Sequence, residues 1–200
     1  MNLWAPLIHL GDAALTMPLA AGMAAWLIAS HAYRLALSWS AAFAAGALLV
    51  GASKIAYMAW GLGWLTLEFK ALSGHATGAS AVMPMLYYLM LARHGRAARV
   101  AGLAIGSGLG LTVAAALVAQ CHHSPAEAMA GWLTGSALAV LAVRVGGAPP
   151  ALRPFAGMLA FVLTIAAGVW LMQWAHLGYW MIKAARLLSG HEHVFSLSFD

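Results

Sequence analysis

Acidic side chains and cysteine are scarce in this chain of 200 residues: five Asp and Glu together, and one Cys. The lone thiol, Cys121, excludes an intrachain disulfide and any cysteine-based metal cluster. Charged residues of either sign make up 8% of the chain, where a soluble domain carries about 25%. That is too little charge to solvate an ordinary globular surface. Residues 1–10, with Trp4 and Pro6, lack the basic region and cleavage site of a secretory signal, so export is expected to rely on the first span.

What the chain has in excess is apolar length. Hydrophobic residues make up 64% of it and its mean hydropathy is +0.85, which defines an all-α integral membrane protein. Six runs are long enough to be read as transmembrane helices: 13–33, 39–64, 75–92, 100–120, 128–145 and 155–174. Residues 1–10 are too short to cross about 30 Å of hydrocarbon as a helix and read as an interfacial segment. The tail from His176, with Trp180, Lys183, Arg186, Leu187 and Leu188, has the spacing of a second interfacial helix. Its His191-Glu192-His193 reads as a solvated tail rather than a metal set.

No internal repeat or long low-complexity stretch divides the chain, and 1–200 reads as one membrane domain. Gly102, Gly106 and Gly110 in the fourth run, and Gly131 and Gly135 in the fifth, recur at the spacing of close helix contacts. Packing within one chain or between chains of a homo-oligomer satisfies that spacing equally. The net charge is +5, but the cations are spread over loops and form no basic stripe, so no nucleic-acid partner is expected. With six spans, the loops after the first, third and fifth hold Arg34, Arg93, Arg96, Arg99, Arg144 and Arg153 and no carboxylate, which makes that side cytoplasmic. The opposite side collects Asp12, Glu68, Lys70, His75, His122, His123, Glu127, Glu192 and Asp200.

Chemistry-bearing residues concentrate on that second side in three pieces. Ser73-Gly74-His75 opens the third span as a helix N-terminus would: a hydroxyl to cap it, a glycine for close approach of an anion, and an imidazole beside them. Lys54 lies in the second span, where an ammonium requires a partner or a water-filled cavity. His123 and Glu127, four apart at the start of the fifth span, share one face of a helix, so the carboxylate can orient the imidazole. Two histidines, a carboxylate, a lysine and a helix N-terminus suffice for phosphoryl transfer through a phosphohistidine. One imidazole attacks, the other protonates the leaving oxygen, and the donors hold the phosphate. This chemistry needs no metal and no cofactor.

The order Lys54, Leu72-Ser73-Gly74-His75, then His123 and Glu127 resembles the type 2 phosphatidic acid phosphatase (PAP2) family over about 51–135. That family's pattern is a lysine with Arg-Pro seven residues on, Pro-Ser-Gly-His, then Ser-Arg followed by His and, four further, Asp. The resemblance implies a PAP2-like bundle of six transmembrane helices and His123 as nucleophile. It also implies Glu127 in the orienting aspartate's place, His75 as general acid, and Lys54, Ser73 and Gly74 as phosphate holders. Its first and third motifs are degenerate, with Gly61-Leu62 and Ala116-Leu117 where the family has Arg-Pro and Ser-Arg. Lys70 and a protonated His122 are expected to replace part of the missing charge. One span precedes the first motif and an extra one follows the third, unlike typical members. The implied activity is removal of phosphate from a lipid phosphate at the outer face of a bacterial inner membrane.

Overall fold

The computed structural model describes residues 4–149, 152 and 154–197. Met1, Pro150, Arg153 and Asp200, to which the sequence gives interfacial, turn, topogenic and external places, lie outside the described residues. Among the described residues eight α-helices follow one another: α1 (Ala5–His9), α2 (Ala13–Ala29), α3 (Tyr33–Trp60), α4 (Gly74–Met90), α5 (Gly95–Ala119), α6 (Pro125–Gly146), α7 (Pro154–Met172) and α8 (Leu177–Ser189). Among the described residues no strand forms, and Trp64 and Phe69 make one isolated antiparallel bridge in the loop after α3. The fold is all-α, as the composition requires.

Among the described residues four stretches are long and apolar enough to cross a membrane: Tyr33–Trp60, Ala92–Ala119, Pro125–Gly146 and Phe155–Met172. α2 is an apolar helix of 17 residues. α4 also has 17 residues, carries Thr77, Ser80 and His75, and is buried along most of its length. Its polarity follows from its place: α4 is the central helix, packed on α5 and α6 over long faces and on α2 and α3 over shorter ones. A helix surrounded by protein can carry hydroxyls that a lipid-facing helix cannot.

The boundaries shift from the expected runs for local reasons. The expected first span continues to Tyr33, but the chain turns at Ser30–Ala32, and α3 begins six residues before the expected Trp39. α3 stops at Trp60 rather than Trp64 because Gly61 adopts a left-handed φ of 65° and caps it.

Lipid tails are as apolar as leucine side chains, so burial adds little to helix association in a bilayer and close packing carries more of it. Gly106 and Gly110 of α5 and Gly131 and Gly135 of α6 all press on α4. A β-carbon at Gly131 would lie 2.8 Å from the Ser73 carbonyl oxygen. These glycines therefore bring helices together inside one chain. Buried hydrogen bonds add direction: Trp39 Nε1 donates to the Ala20 carbonyl at 3.0 Å, and Trp132 Nε1 to that of Ser107 at 3.0 Å.

Candidate functional site

The start of α6 is built by Ser124, Pro125 and Glu127. Ser124 Oγ accepts from the Glu127 N–H at 3.2 Å, the Glu127 carboxylate accepts from the Ser124 N–H at 3.4 Å, and Pro125 occupies the first helical position. This is a complete capping box. His123 therefore stands outside the helix, and the expectation of a shared helical face is corrected. The two side chains meet because the Glu127 carboxylate folds back over the cap, where Oε2 is 2.7 Å from His123 Nδ1.

Glu127 is 2% exposed, and its other oxygen, Oε1, accepts from the backbone N–H groups of Lys70 at 2.7 Å and Ala71 at 3.1 Å. Three backbone N–H groups, of Lys70, Ala71 and Ser124, converge on this carboxylate and hold it as an acceptor. An acceptor at Nδ1 keeps the proton of neutral His123 there and leaves Nε2 with the lone pair. Glu127 thus fixes the imidazole and also pins residues 70–71, which lead into α4. The Leu72 N–H bonds to Ser53 Oγ at 3.2 Å, and the Ser73 N–H to the Glu127 carbonyl at 3.4 Å.

Ser73 caps α4 as its position predicts: fully buried, its Oγ accepts from the Ala76 N–H at 3.3 Å. Gly74 and His75 form the first turn, whose N–H groups have no carbonyl within the helix to bond. Lys54 Nζ lies beside this turn, and a β-carbon at Gly74 would be 3.8 Å from it. No carboxylate stands within ion-pair distance of Lys54 among the described residues. Its ammonium lies within electrostatic reach of Glu127 and of His75, and His75 within that of His123.

His75 has a partner that sequence spacing did not indicate. Its Nε2 is 2.7 Å from Asp12 Oδ1, and Asp12 Oδ2 is 2.7 Å from His9 Nδ1. Asp12 precedes α2 at the cap position but makes no side-chain capping bond, because its carboxylate is turned to the histidines. Burial raises the Asp12 carboxyl, and the hydrogen bonds and charges of His9 and His75 outweigh it, so the group titrates below its ordinary range. Gly11 makes the approach feasible: a β-carbon there would lie 2.6 Å from the His75 carbonyl oxygen. The partners are 63 positions apart, and the one local signal was a carboxylate just before an apolar run.

Lys54, Gly74 and His75 line one end of a cavity of about 400 Å3 whose remaining wall is mostly apolar. Phe43, Val50 and Leu138 form its depth, and Trp180 and Met181 of α8 lie along it. Of the remaining expected holders, Lys70 joins the site through its backbone N–H, its side chain half-buried, and His122 is exposed on the turn before His123. The two positions where the PAP2 pattern has arginine hold apolar surroundings. Leu117 is 1% exposed in a cluster with Ala76 and Ala79 under the α4 N-terminus. At Gly61 the Phe195 ring lies 3.2 Å from where a β-carbon would stand.

The described residues thus form an all-helical, membrane-type bundle with three histidine–carboxylate contacts, made through Asp12 and Glu127, and a lysine gathered at one end. In comparison with known proteins, the chain is similar to an "Uncharacterized 22.5 kDa protein in cps region" of Klebsiella pneumoniae, 33% identical over 135 residues. That match covers 67% of this chain and 65% of the relative's own length. No family model matches the chain, and no solved structure matches it.

Proposed function

We propose that this chain is a membrane lipid phosphatase of the PAP2 type, removing phosphate from a lipid phosphate or diphosphate through a phosphohistidine. The observation that carries the reading is the placement of Lys54 and His75 at the polar end of an apolar cavity; His123 is outside the cavity's lining but close enough to His75 for their charges to interact. An ester whose phosphate sits at that end and whose chain lies along Phe43, Val50 and Leu138 matches both halves of the site. Isoprenoid diphosphate, phosphatidylglycerol phosphate, phosphatidate and lipid A phosphates all have this form.

His123 Nε2 attacks phosphorus, the bond to the leaving oxygen breaks, and His75 delivers a proton to that oxygen. Water then attacks the phosphohistidine, His75 takes the water's proton, and phosphate leaves with His123 restored. Lys54 and the first-turn N–H groups of α4 offset the charge on the phosphoryl oxygens. In this reading α2 to α7 all cross a bacterial inner membrane, with the histidines facing the periplasm. The arginines at the other end and the bacterial origin of the relative support that orientation.

The test is phosphate release by the purified chain from a panel of lipid phosphates in detergent, with and without a chelator. Chelator-resistant release that disappears in His123→Ala is the expected result. Leu117 and the Phe195 contact at Gly61 favour a second reading, in which the scaffold binds a lipid phosphate or a partner protein without turnover. Retained lipid affinity with no release from any substrate would establish that reading in place of the first.

A further inference from the structure

The opposite end of the bundle holds a second cavity, of about 640 Å3, between α4, α5 and α6. Arg96 and Arg99 from the first turns of α5 and Arg144 from the last turn of α6 all line it. Deeper in, Leu103 and Val140 form apolar wall, and further still Ser107 Oγ and Ser136 Oγ meet at 2.9 Å. Arg99 and Ser107 are eight residues apart on α5, so the cavity runs about 12 Å along the helix. Its polar rim therefore carries three guanidinium groups, and its shaft is mostly hydrocarbon, with Tyr88 in its wall and the serine pair at its depth.

The charge at this rim is unbalanced. Asp12, Glu68, Glu127 and Glu192, the carboxylates among the described residues, all belong to the end that holds His75 and His123. No arginine makes an ion pair among the described residues. α5 has no acidic residue in its first turn, so Arg96 and Arg99 stand against the positive end of its dipole. A topogenic role asks only for cations in a flanking loop. It does not ask three of them, from two helices, to share one cavity with an apolar shaft.

We infer that this cavity binds an anionic phospholipid from the leaflet at the arginine end, phosphate on the three guanidiniums and acyl chain along Leu103 and Val140. Arginine forks match phosphate oxygens, and basic pockets between spanning helices suit anionic headgroups. The ligand is held here, away from both histidines, so the assignment does not depend on the phosphatase reading.

The experiment uses the delipidated full chain in detergent with Lys54→Gln, which removes the cation of the other cavity. Dioleoylphosphatidylglycerol, dioleoylphosphatidylcholine and inorganic phosphate are titrated separately, and the thermal midpoint is followed. Phosphatidylglycerol should raise the midpoint at lower concentrations than the other two. Arg96→Gln/Arg99→Gln/Arg144→Gln should raise its half-effect concentration about tenfold or more and leave the phosphatidylcholine response unchanged. Should the triple variant fail to fold, single Arg144→Gln, monodisperse by size exclusion, must show the same direction of change. Equal protection by phosphatidylcholine, or an unaltered response in the arginine variants, would overturn the assignment. Protection by inorganic phosphate at matching concentrations would overturn the lipid and leave a free-anion site.

Discussion

Glu127 joins stability to chemistry in one carboxylate. It is buried, it closes the α6 capping box, it holds Lys70 and Ala71 by their N–H groups, and it orients His123. Glu127→Ala leaves these donors buried without an acceptor, and a loss of about 3–5 kcal/mol in unfolding free energy is expected, measured by denaturant titration in mixed micelles. Glu127→Gln keeps the volume but turns an N–H toward other N–H groups. Under the proposed mechanism it should lower phosphate release at least about a hundredfold, while unfolding shows a smaller loss than in the alanine variant. Asp12 gives a pH-dependent counterpart. Its carboxyl titrates below the ordinary range in the fold, so its contribution to stability is complete above that range and is lost as the pH falls through the depressed value. The difference in melting midpoint between the native chain and Asp12→Asn should not shrink as the pH falls from neutrality to the ordinary carboxyl range and should close only in strong acid. A difference that closed near neutrality would mean that the carboxylate contributes nothing through His9 and His75.

At the scale of elements, the site depends on two helix starts, and each is set by a short run of sequence. Ser73 and Ser124 cap α4 and α6, and the shared glutamate ties one start to the other. Ser124→Ala should cost about 1 kcal/mol of stability through the lost cap. Under the proposed mechanism it should also loosen the Glu127 carboxylate, so phosphate release would fall more than the modest change in unfolding suggests. A variant with weakened stability and unchanged phosphate release would uncouple cap from site. At α6 only the pairing of His123 with Glu127 was legible, without the Ser124 cap that leaves His123 outside the helix; at α4 the start itself was, because a capping hydroxyl and a glycine are adjacent in sequence. The contact between His75 and Asp12 was not, since helix packing alone brings those residues together and Gly11 reveals its purpose only beside His75. The hydropathy of α4 misleads in the same way. Thr77 and Ser80 look costly for a span until the four neighbouring helices are seen to cover them.

For the whole molecule, the open quantity is how many helices cross the bilayer, and α4 decides it. Counting only the four longest apolar stretches leaves α4 on one side, so Glu68 and His94 would share a face and Cys121, beyond α5, would lie opposite both. If α4 crosses, Glu68 and Cys121 share a face and His94 lies opposite. α4 spans about 25 Å, short for hydrocarbon of about 30 Å, but its covered surface places protein rather than lipid around most of it. Cys121 is exposed and is the single cysteine, so it reports its own side without mutation. A membrane-impermeant maleimide applied to intact cells should label Cys121. With Cys121→Ser as background, Glu68→Cys should also be labelled under the proposed orientation, and His94→Cys only after the membrane is permeabilised. Labelling of His94→Cys together with Glu68→Cys would remove α4 from the spans. Labelling of Cys121 only after permeabilisation would turn the histidines toward the cytoplasm, and the substrate would then have to come from the inner leaflet.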